Sequence, residues 1–485
     1  MSDVVVLGAG VSGHTAALHL KRLLGSRHNV IVVSPNSQWN WIPSNIWVGA
    51  GVMKKDAVVF PLEPVYRRKK IDFHQAKAVA IHPQGDASDS RGYVDIEYTG
   101  QNRAGQSVQL RYDYLINATG PKLRFEATPG LGPDAGETVS VCTADHAVHA
   151  AHELHTAIER MKAGEKQTFV IGMGHGTCTC EGAAFEYVFN VDHELRQAGV
   201  RDMGRIIYLT NEANLGDFGV GGMVFEQQGF ETTSELWTGS LYRERGVEAI
   251  LGAHVERIEN GVIHFEQLDG SKHELPFDFG MLLPPFGGVG MKAYGKEGED
   301  ITSELFAPSG FMKVDGDYTP KPYEEWKASD WPETYLVPGY ENIFAVGIAF
   351  APPHQISVPR KSPAGTVITP APPRTGMPSG VMGKNAAITI ARRLKNGPDA
   401  PAEHASMTRM GAACVASAGT GLRKGTAAAM TMMPVVPDYD RYPTGRDTQD
   451  TRGDIGLFGH WVKLMLHYLF IYKAKALPLW QLIPE

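Results

Sequence analysis

The tightest constraint on this chain lies at its start. Val4–Leu7 is a short apolar run that leads directly into Gly8-Ala-Gly10-Val-Ser-Gly13. A stretch with helical apolar spacing follows from Thr15 to Leu24, then a second strand-like run, Asn29–Val33. This is a βαβ opening, with G-x-G-x-x-G in the one place where it carries meaning, between strand and helix. The glycines permit a tight turn and close approach of backbone N–H groups to a pyrophosphate, and the helix N-terminus adds partial positive charge. Gly8, Gly10 and Gly13 are therefore expected to hold a dinucleotide. The carboxylate that usually binds a ribose hydroxyl at the end of the second strand is missing. Ser34 stands there, ahead of Pro35, and its hydroxyl is the weaker expected partner.

Composition narrows the class. A chain of 485 residues leaves room for two to four domains and a sizeable core. Apolar residues make up 43% and charged residues 20%, which excludes a disordered or tail-like protein. The formal net charge of −7 offers no basic field for nucleic acid, so that partner is not expected. The 54 glycines and 31 prolines favour a loop-rich α/β fold over a helical bundle. Met1-Ser-Asp precedes the first strand with no charged n-region or long apolar stretch, so no secretory signal is expected. No apolar run reaches 18 residues, so no spanning helix is expected either. Four cysteines, Cys142, Cys178, Cys180 and Cys414, are too few for a disulfide scaffold but enough for redox chemistry.

Two further landmarks follow the opening unit. Tyr112–Gly120 is a strand-like run ending Ala118-Thr119-Gly120. In flavoproteins with two dinucleotide folds, A-T-G at a strand end marks the exit from the FAD domain. A second βαβ unit begins at Thr168, where Phe169-Val-Ile171 leads into Gly172-Met-Gly174-His-Gly176-Thr-Cys178-Thr-Cys180 and a helix through Phe189. Arg205–Thr210 is the next strand. Thr177 replaces the third glycine and two cysteines crowd the helix start, so NAD(P)H use is not expected. Cys178 and Cys180 with His175 lack a second ligand pair, and no metal is assigned. Cys180 opens a helix, where the dipole favours thiolate.

The C-terminal third has a different texture. Eight prolines in residues 351–378 predict a rigid irregular segment. It is preceded by a strand ending at Gly347 and followed by a helical stretch from Gly383 to Leu394. Residues 398–456 are rich in Gly, Ala, Thr and Pro, which predicts loops. From Ile455 to Pro484 there is no acidic residue, and on a helical projection His460, Lys463 and His467 form one narrow polar stripe. A helix this apolar, cationic and short suits the membrane interface. The alternative is a terminal helix docked in a core or a dimer interface.

Together these motifs resemble the sulfide:quinone oxidoreductase family, within the flavin disulfide-reductase-like superfamily. Pro43-Ser-Asn-Ile-Trp-Val-Gly49 resembles its P-S-N-x-W-V-G, and Tyr112–Phe125 its Y-D-Y-L-x-x-A-T-G-P-K-L-x-F. Cys142-Thr-Ala-Asp-His146-Ala is similar to C-T-x-D-H-A, and Gly176–Glu186 to the cysteine loop. Arg374-Thr-Gly376 matches P-K-T-G with Arg for Lys, and Cys414 ahead of Met433-Pro434 matches the third cysteine. Gly459-His-Trp461-Val462 is similar to the G-R-W-V that opens the membrane-binding tail. The sequence departs from the family at Asp217, where a histidine is common, at Leu466, where a quinone-contacting lysine is common, and at Val415, where an aromatic is common. Cys178 is an extra cysteine, read as packing first and sulfur relay second.

The resemblance implies two tandem Rossmann-like domains plus a C-terminal membrane-associating segment. Residues 1–140 and 290–395 would form the FAD domain, 141–289 the second domain, and 396–485 the C-terminal region. Cys180 and Cys414 would be the redox pair on one face of the isoalloxazine, bridged by a disulfide or extra sulfur. Cys142 would link to the flavin or assist sulfur release, and His146 and Glu186 would handle protons. Arg374 would stabilise the anionic reduced flavin, and Pro43, Ala78, Thr119, Gly120, Gly347 and Gly376 would line the cofactor. The implied activity is oxidation of sulfide to sulfane sulfur or polysulfide with reduction of a membrane quinone, ubiquinone or menaquinone. The implied setting is one face of the cytoplasmic membrane, as a peripheral homo-oligomer. Competing readings are a flavocytochrome c-type sulfide dehydrogenase, a type II NADH:quinone oxidoreductase and a non-enzymatic flavin-binding redox sensor.

Overall fold

In the computed structural model, which describes residues 1–227 and 229–485, the N-terminal motif forms the elements its pattern predicts. The order is β1 (Asp3–Leu7), α1 (Val11–Leu24), β2 (Asn29–Ser34), β3 (Asp72–His82) and β4 (Tyr114–Asn117). β1 lies between β2 and β4, all parallel, with Val4 opposite Val30 and Tyr114. Val4–Leu7 are fully buried, as a central parallel strand covered on both faces must be. α1 was expected to be amphipathic. It is instead buried on most of its circumference, because a second helix packs over its outer face.

The second sheet is carried by α2 (Ala144–Lys162), β5 (Gln167–Met173), α3 (Glu181–Gln197), β6 (Gly204–Leu209), β7 (Val247–Ile250) and β8 (Phe279–Leu283). Its four strands are parallel in the order β7–β6–β5–β8. The chain then returns to the first sheet through β9 (Tyr340–Ala345), which pairs parallel with β4. After the proline-rich segment, α4 (Gly376–Asn396) packs on α1. Gly383 makes that crossing possible, since a Cβ there would sit 2.2 Å from the Ser12 carbonyl oxygen.

Residues 398–456 are mostly loop, as expected, but three of their segments pair. β10 (Ala412–Ala418), β11 (Thr426–Met432) and β12 (Arg452–Gly456) form an antiparallel sheet, and α5 (Leu457–Ala474) packs on it. The strand sequences AACVASA and TAAAMTM have low intrinsic β preference. Strand formation here is set by burial against α3 and α5, which propensity does not report.

Two glycine substitutions test this packing. Gly383→Ala drives a methyl group into the α1 backbone and should destabilise the protein by about 1–3 kcal/mol. Gly239→Ala, where a Cβ meets nothing within 4 Å, should raise stability by roughly 0.5–1 kcal/mol. Thermal unfolding of both variants checks the opposite signs.

Candidate active site

The C-terminal ends of β1 and β4, the N-termini of α1, α3 and α4, and the inner faces of β10 and α5 enclose one cavity of about 1030 Å³. Its N-terminal end is built from the glycine motif. Gly8 has φ +96°, and a Cβ there would lie 2.1 Å from the Ala118 carbonyl oxygen. Gly13 does not line the cavity. A Cβ on it would strike the Gly8 carbonyl at 2.1 Å, so its role is close helix–strand packing. Gly10 faces open space within 4 Å.

These residues fit FAD. α1 has no side-chain cap and no acid in its first turn, and the same is true of α4. Both helices thus leave positive ends free for an anionic group. Ser12 Oγ and Thr375 Oγ1 are buried without a hydrogen-bond partner, and both residues line the cavity. Ser34, Pro43, Thr119, Gly120, Arg374 and Gly376 line it as well. Ala78 does not. It pairs with Ile96 in the sheet, and Gln75, three residues earlier on β3, reaches the cavity instead. Gly347 (φ +66°) also lies outside the lining, where a Cβ would contact Ser12 Cβ at 2.8 Å.

The sulfur end brings together three cysteines that are remote along the chain. Cys142, Cys180 and Cys414 all line the cavity. Cys180 is the N-cap of α3 in a left-handed conformation, φ 77°. Cys414 lies on β10 opposite Met430. Its sulfur rests against Gly182, where an added Cβ would be 2.6 Å away. Cys178 is outside the lining, fully buried, with its thiol donating to the Leu283 carbonyl at 3.0 Å. That is a packing position.

The Cys180 thiol was expected to be depressed by the helix end. The protein does the reverse. Burial, then Glu181 and Cys142, pushes Cys180 up to about 12, against a smaller opposite pull from Arg374. Burial and Glu186 push Cys414 up to about 12, with Lys463 opposing. Burial raises Cys142 to about 11. Desolvation exceeds the dipole because each thiolate would sit among apolar groups and carboxyl groups. Arg374 is lowered to about 10 by burial. Its guanidinium donates to the Phe350 carbonyl at 3.2 Å and lies 4.7 Å from the centre of the Phe311 ring.

Titratable groups line the cavity with the sulfurs. Glu186 lies on α3 and pairs with Lys463 of α5. It also accepts from the Ser417 backbone N–H at 3.3 Å. Burial raises the Glu186 carboxyl, and Lys463 opposes this. Lys463 also donates to the Val415 carbonyl at 3.2 Å. His146 lines the cavity, with its Nδ1 buried and unpartnered. Sequence reasoning placed Lys463 on a stripe but gave it no partner, because the pair joins elements far apart in the chain.

The second glycine loop is covered by the proline-rich segment. Thr369 N–H donates to the Gly176 carbonyl at 2.8 Å and Ala371 N–H to the Cys178 carbonyl at 2.8 Å. Thr179 Oγ1 donates to the Pro372 carbonyl at 3.1 Å. A Cβ on Gly176 would lie 2.4 Å from the Val367 carbonyl oxygen. The Gly176 and Cys178 carbonyls of the loop are thus engaged by the proline-rich segment, and the Gly176 N–H donates to His254 Nδ1 at 3.0 Å.

Thiol reactivity tests the electrostatics. Only the thiolate alkylates. At pH 8 Cys180 and Cys414 should therefore react with iodoacetamide at least about tenfold more slowly than in the urea-unfolded chain. Their rates should still be climbing at pH 10. A plateau by pH 9 would show that the sulfurs are not held in the neutral form.

The family profile described as pyridine nucleotide-disulphide oxidoreductase matches residues 2–205. The sulfide-quinone reductase of Aquifex aeolicus is 28% identical over 97% of this chain and 91% of its own length. Its crystal structure superposes with a TM-score of 0.74 at 26% identity, covering 98% of this chain and 92% of that one. The mitochondrial sulfide:quinone oxidoreductase of Mus musculus is 24% identical over 58% of this chain and 56% of its own. The NDH2 structure from Plasmodium falciparum, at 12% identity and a TM-score of 0.60, shares the fold. Full-length likeness, two tandem dinucleotide folds and a cavity lined by three cysteines converge on one conclusion: along its whole length this chain is similar to sulfide:quinone oxidoreductases.

Proposed function

We propose that this chain oxidises sulfide to sulfane sulfur or polysulfide through Cys180 and Cys414, with FAD, and passes the electrons to a membrane quinone. The observation that supports this reading is a cavity that begins at the glycine motif and is lined both by Cys180 and by Cys414, whose sulfur rests against Gly182, two residues after Cys180. Bound flavin supplies a two-electron acceptor that sulfur can reduce and a quinone can reoxidise.

The protein's own residues do the rest. In the oxidised state a sulfur bridge joins Cys180 and Cys414. Hydrosulfide attacks it at Cys414, which gives a Cys414 persulfide and releases Cys180 as thiolate. Arg374, whose side chain interacts electrostatically with Cys180, stabilises that negative charge. A second hydrosulfide accepts the sulfane sulfur from Cys414, with Cys142 assisting its departure. Glu186 and His146 move the protons, and Lys463 holds the Glu186 carboxylate in place.

The quinone side lies toward α5. Leu466 and Phe470 line the cavity beside Trp41, Ile42 and Pro43. α5 is inverted relative to an ordinary surface helix. His460, Lys463 and His467 point inward and are buried, whereas Phe458, Trp461, Met465, Tyr468 and Tyr472 are exposed at spacings of three and four residues. Among the described residues no helix is long and apolar enough to cross a membrane. The outward stripe supports attachment to one leaflet, from which a quinone can enter beside α5.

Type II NADH:quinone oxidoreductase is disfavoured by the covered second loop, and a flavocytochrome partner by the apolar outer face of α5. Anaerobic spectroscopy of the detergent-purified protein tests the proposal. Sulfide should bleach the flavin band and a short-chain ubiquinone should restore it. Bleaching by NADH but not by sulfide contradicts it. Cys180→Ser and Cys414→Ser should each lower sulfide-driven reduction by about 100-fold or more, while keeping bound flavin.

A further inference from the structure

Among the described residues, the exposed stripe of α5 is flanked at both ends by cations without carboxylate partners. At the start of the helix, the hairpin tip between β10 and β11 carries Leu422, Arg423 and Lys424, all exposed, with Leu422 at 71%. The tip is tied to the helix, since the Trp461 indole N–H donates to the Leu422 carbonyl at 2.8 Å. His460 Nε2 also lies 2.8 Å from the Gly421 carbonyl oxygen. At the far end, Arg68 donates to the carbonyl of Lys475, the C-cap residue of α5. Arg67, Lys69 and Lys70 adjoin it, and Lys475 Nζ lies over the Phe60 ring at 5.7 Å.

Among the described residues, none of Arg67, Arg68, Lys69, Lys70, Arg423, Lys424 and Lys475 has a carboxylate within 4.0 Å, although surface ion pairs are common elsewhere. The far cluster is crowded with like charge. Burial and Arg68 lower Lys69, and burial and Lys70 lower Lys21. A surface that leaves so many cations unpaired beside an apolar stripe is matched to an anionic partner.

We infer that α5 seats this protein flat on a leaflet rich in anionic phospholipid, with Arg423 and Lys424 at one end and the Arg67–Lys70 cluster with Lys475 at the other gripping the headgroups. This inference rests on the membrane attachment proposed above. The geometry fixes the orientation. Eighteen helical residues span about 27 Å, and cations at both ends keep both ends at headgroup level, so the helix axis lies parallel to the surface. Phe458, Trp461, Met465, Tyr468 and Tyr472 then enter the acyl boundary together. Each cation near an anionic surface adds an attraction that salt screens.

Flotation of the full-length flavoprotein with vesicles tests the inference. One set is phosphatidylcholine alone, and the other contains about 30% phosphatidylglycerol. Binding to the anionic vesicles should be roughly tenfold stronger or more at low salt, and the difference should disappear near ~0.5 M NaCl. In R67E/K70E/R423E/K424E the difference should collapse while binding to neutral vesicles persists. The wild-type salt titration answers the same question if that variant loses its flavin. Equal binding to both vesicles overturns the headgroup inference and leaves the attachment standing. Binding to neither overturns the attachment as well, and sedimentation at twice the chain mass would then assign the stripe to a second copy.

Discussion

The site depends on the seating of β10 against the start of α3, where the missing side chain of Gly182 leaves room for the Cys414 sulfur. Ser417 fixes that seat. Its carbonyl accepts from Trp47 Nε1 and from Asn190 Nδ2, each at 2.9 Å. Its N–H reaches Glu186 at 3.3 Å, and its hydroxyl lies 2.6 Å from His460 Nδ1. One strand residue is thereby tied to the N-terminal segment, the cysteine helix and the C-terminal helix. Buried polar groups satisfied from several elements specify one arrangement, because any slip leaves them unpaired. In this fold that specificity positions the Cys414 sulfur against Gly182.

The same tie joins the redox end to the outer face of α5. Lys463 enters from α5 and pairs with Glu186 one helical turn beyond Gly182. A buried ion pair is weak evidence for stability, since desolvation offsets much of the attraction. Its value here is positional. It makes a carboxyl group beside Cys414 depend on α5 being docked, so attachment and chemistry share one element. The inverted helix follows from the same requirement, since its polar stripe is consumed inward and only apolar side chains remain to face outward.

Local patterns in the sequence read well and long-range consequences did not. Val4–Leu7 followed by the glycine motif specifies β1, the turn and α1 because every signal there lies within one βαβ unit. The Thr177 departure and the proline run are each local features of the sequence. That the second covers the first, through Thr369 and Ala371, is a tertiary fact with no local signature. The β10–β12 sheet was missed because alanine-rich strands are made by the surfaces they pack on. Ala78 was misplaced because a strand position does not reveal which residue reaches a cavity, and Gln75 does. The thiol electrostatics were misjudged because a helix start is visible in sequence, while burial beside Glu181 and Glu186 is not.

The proposed chemistry requires that the sulfurs of Cys180 and Cys414 can be joined in the folded protein. Mild oxidation of the purified full chain, acidic quench, proteolysis and mass spectrometry of the non-reduced peptides test it directly. One dominant cross-linked species is expected, joining the peptides of Cys180 and Cys414 with or without added sulfur atoms between them. A dominant link from Cys180 to Cys142 or Cys178, or a Cys414 recovered only as free thiol, would contradict it.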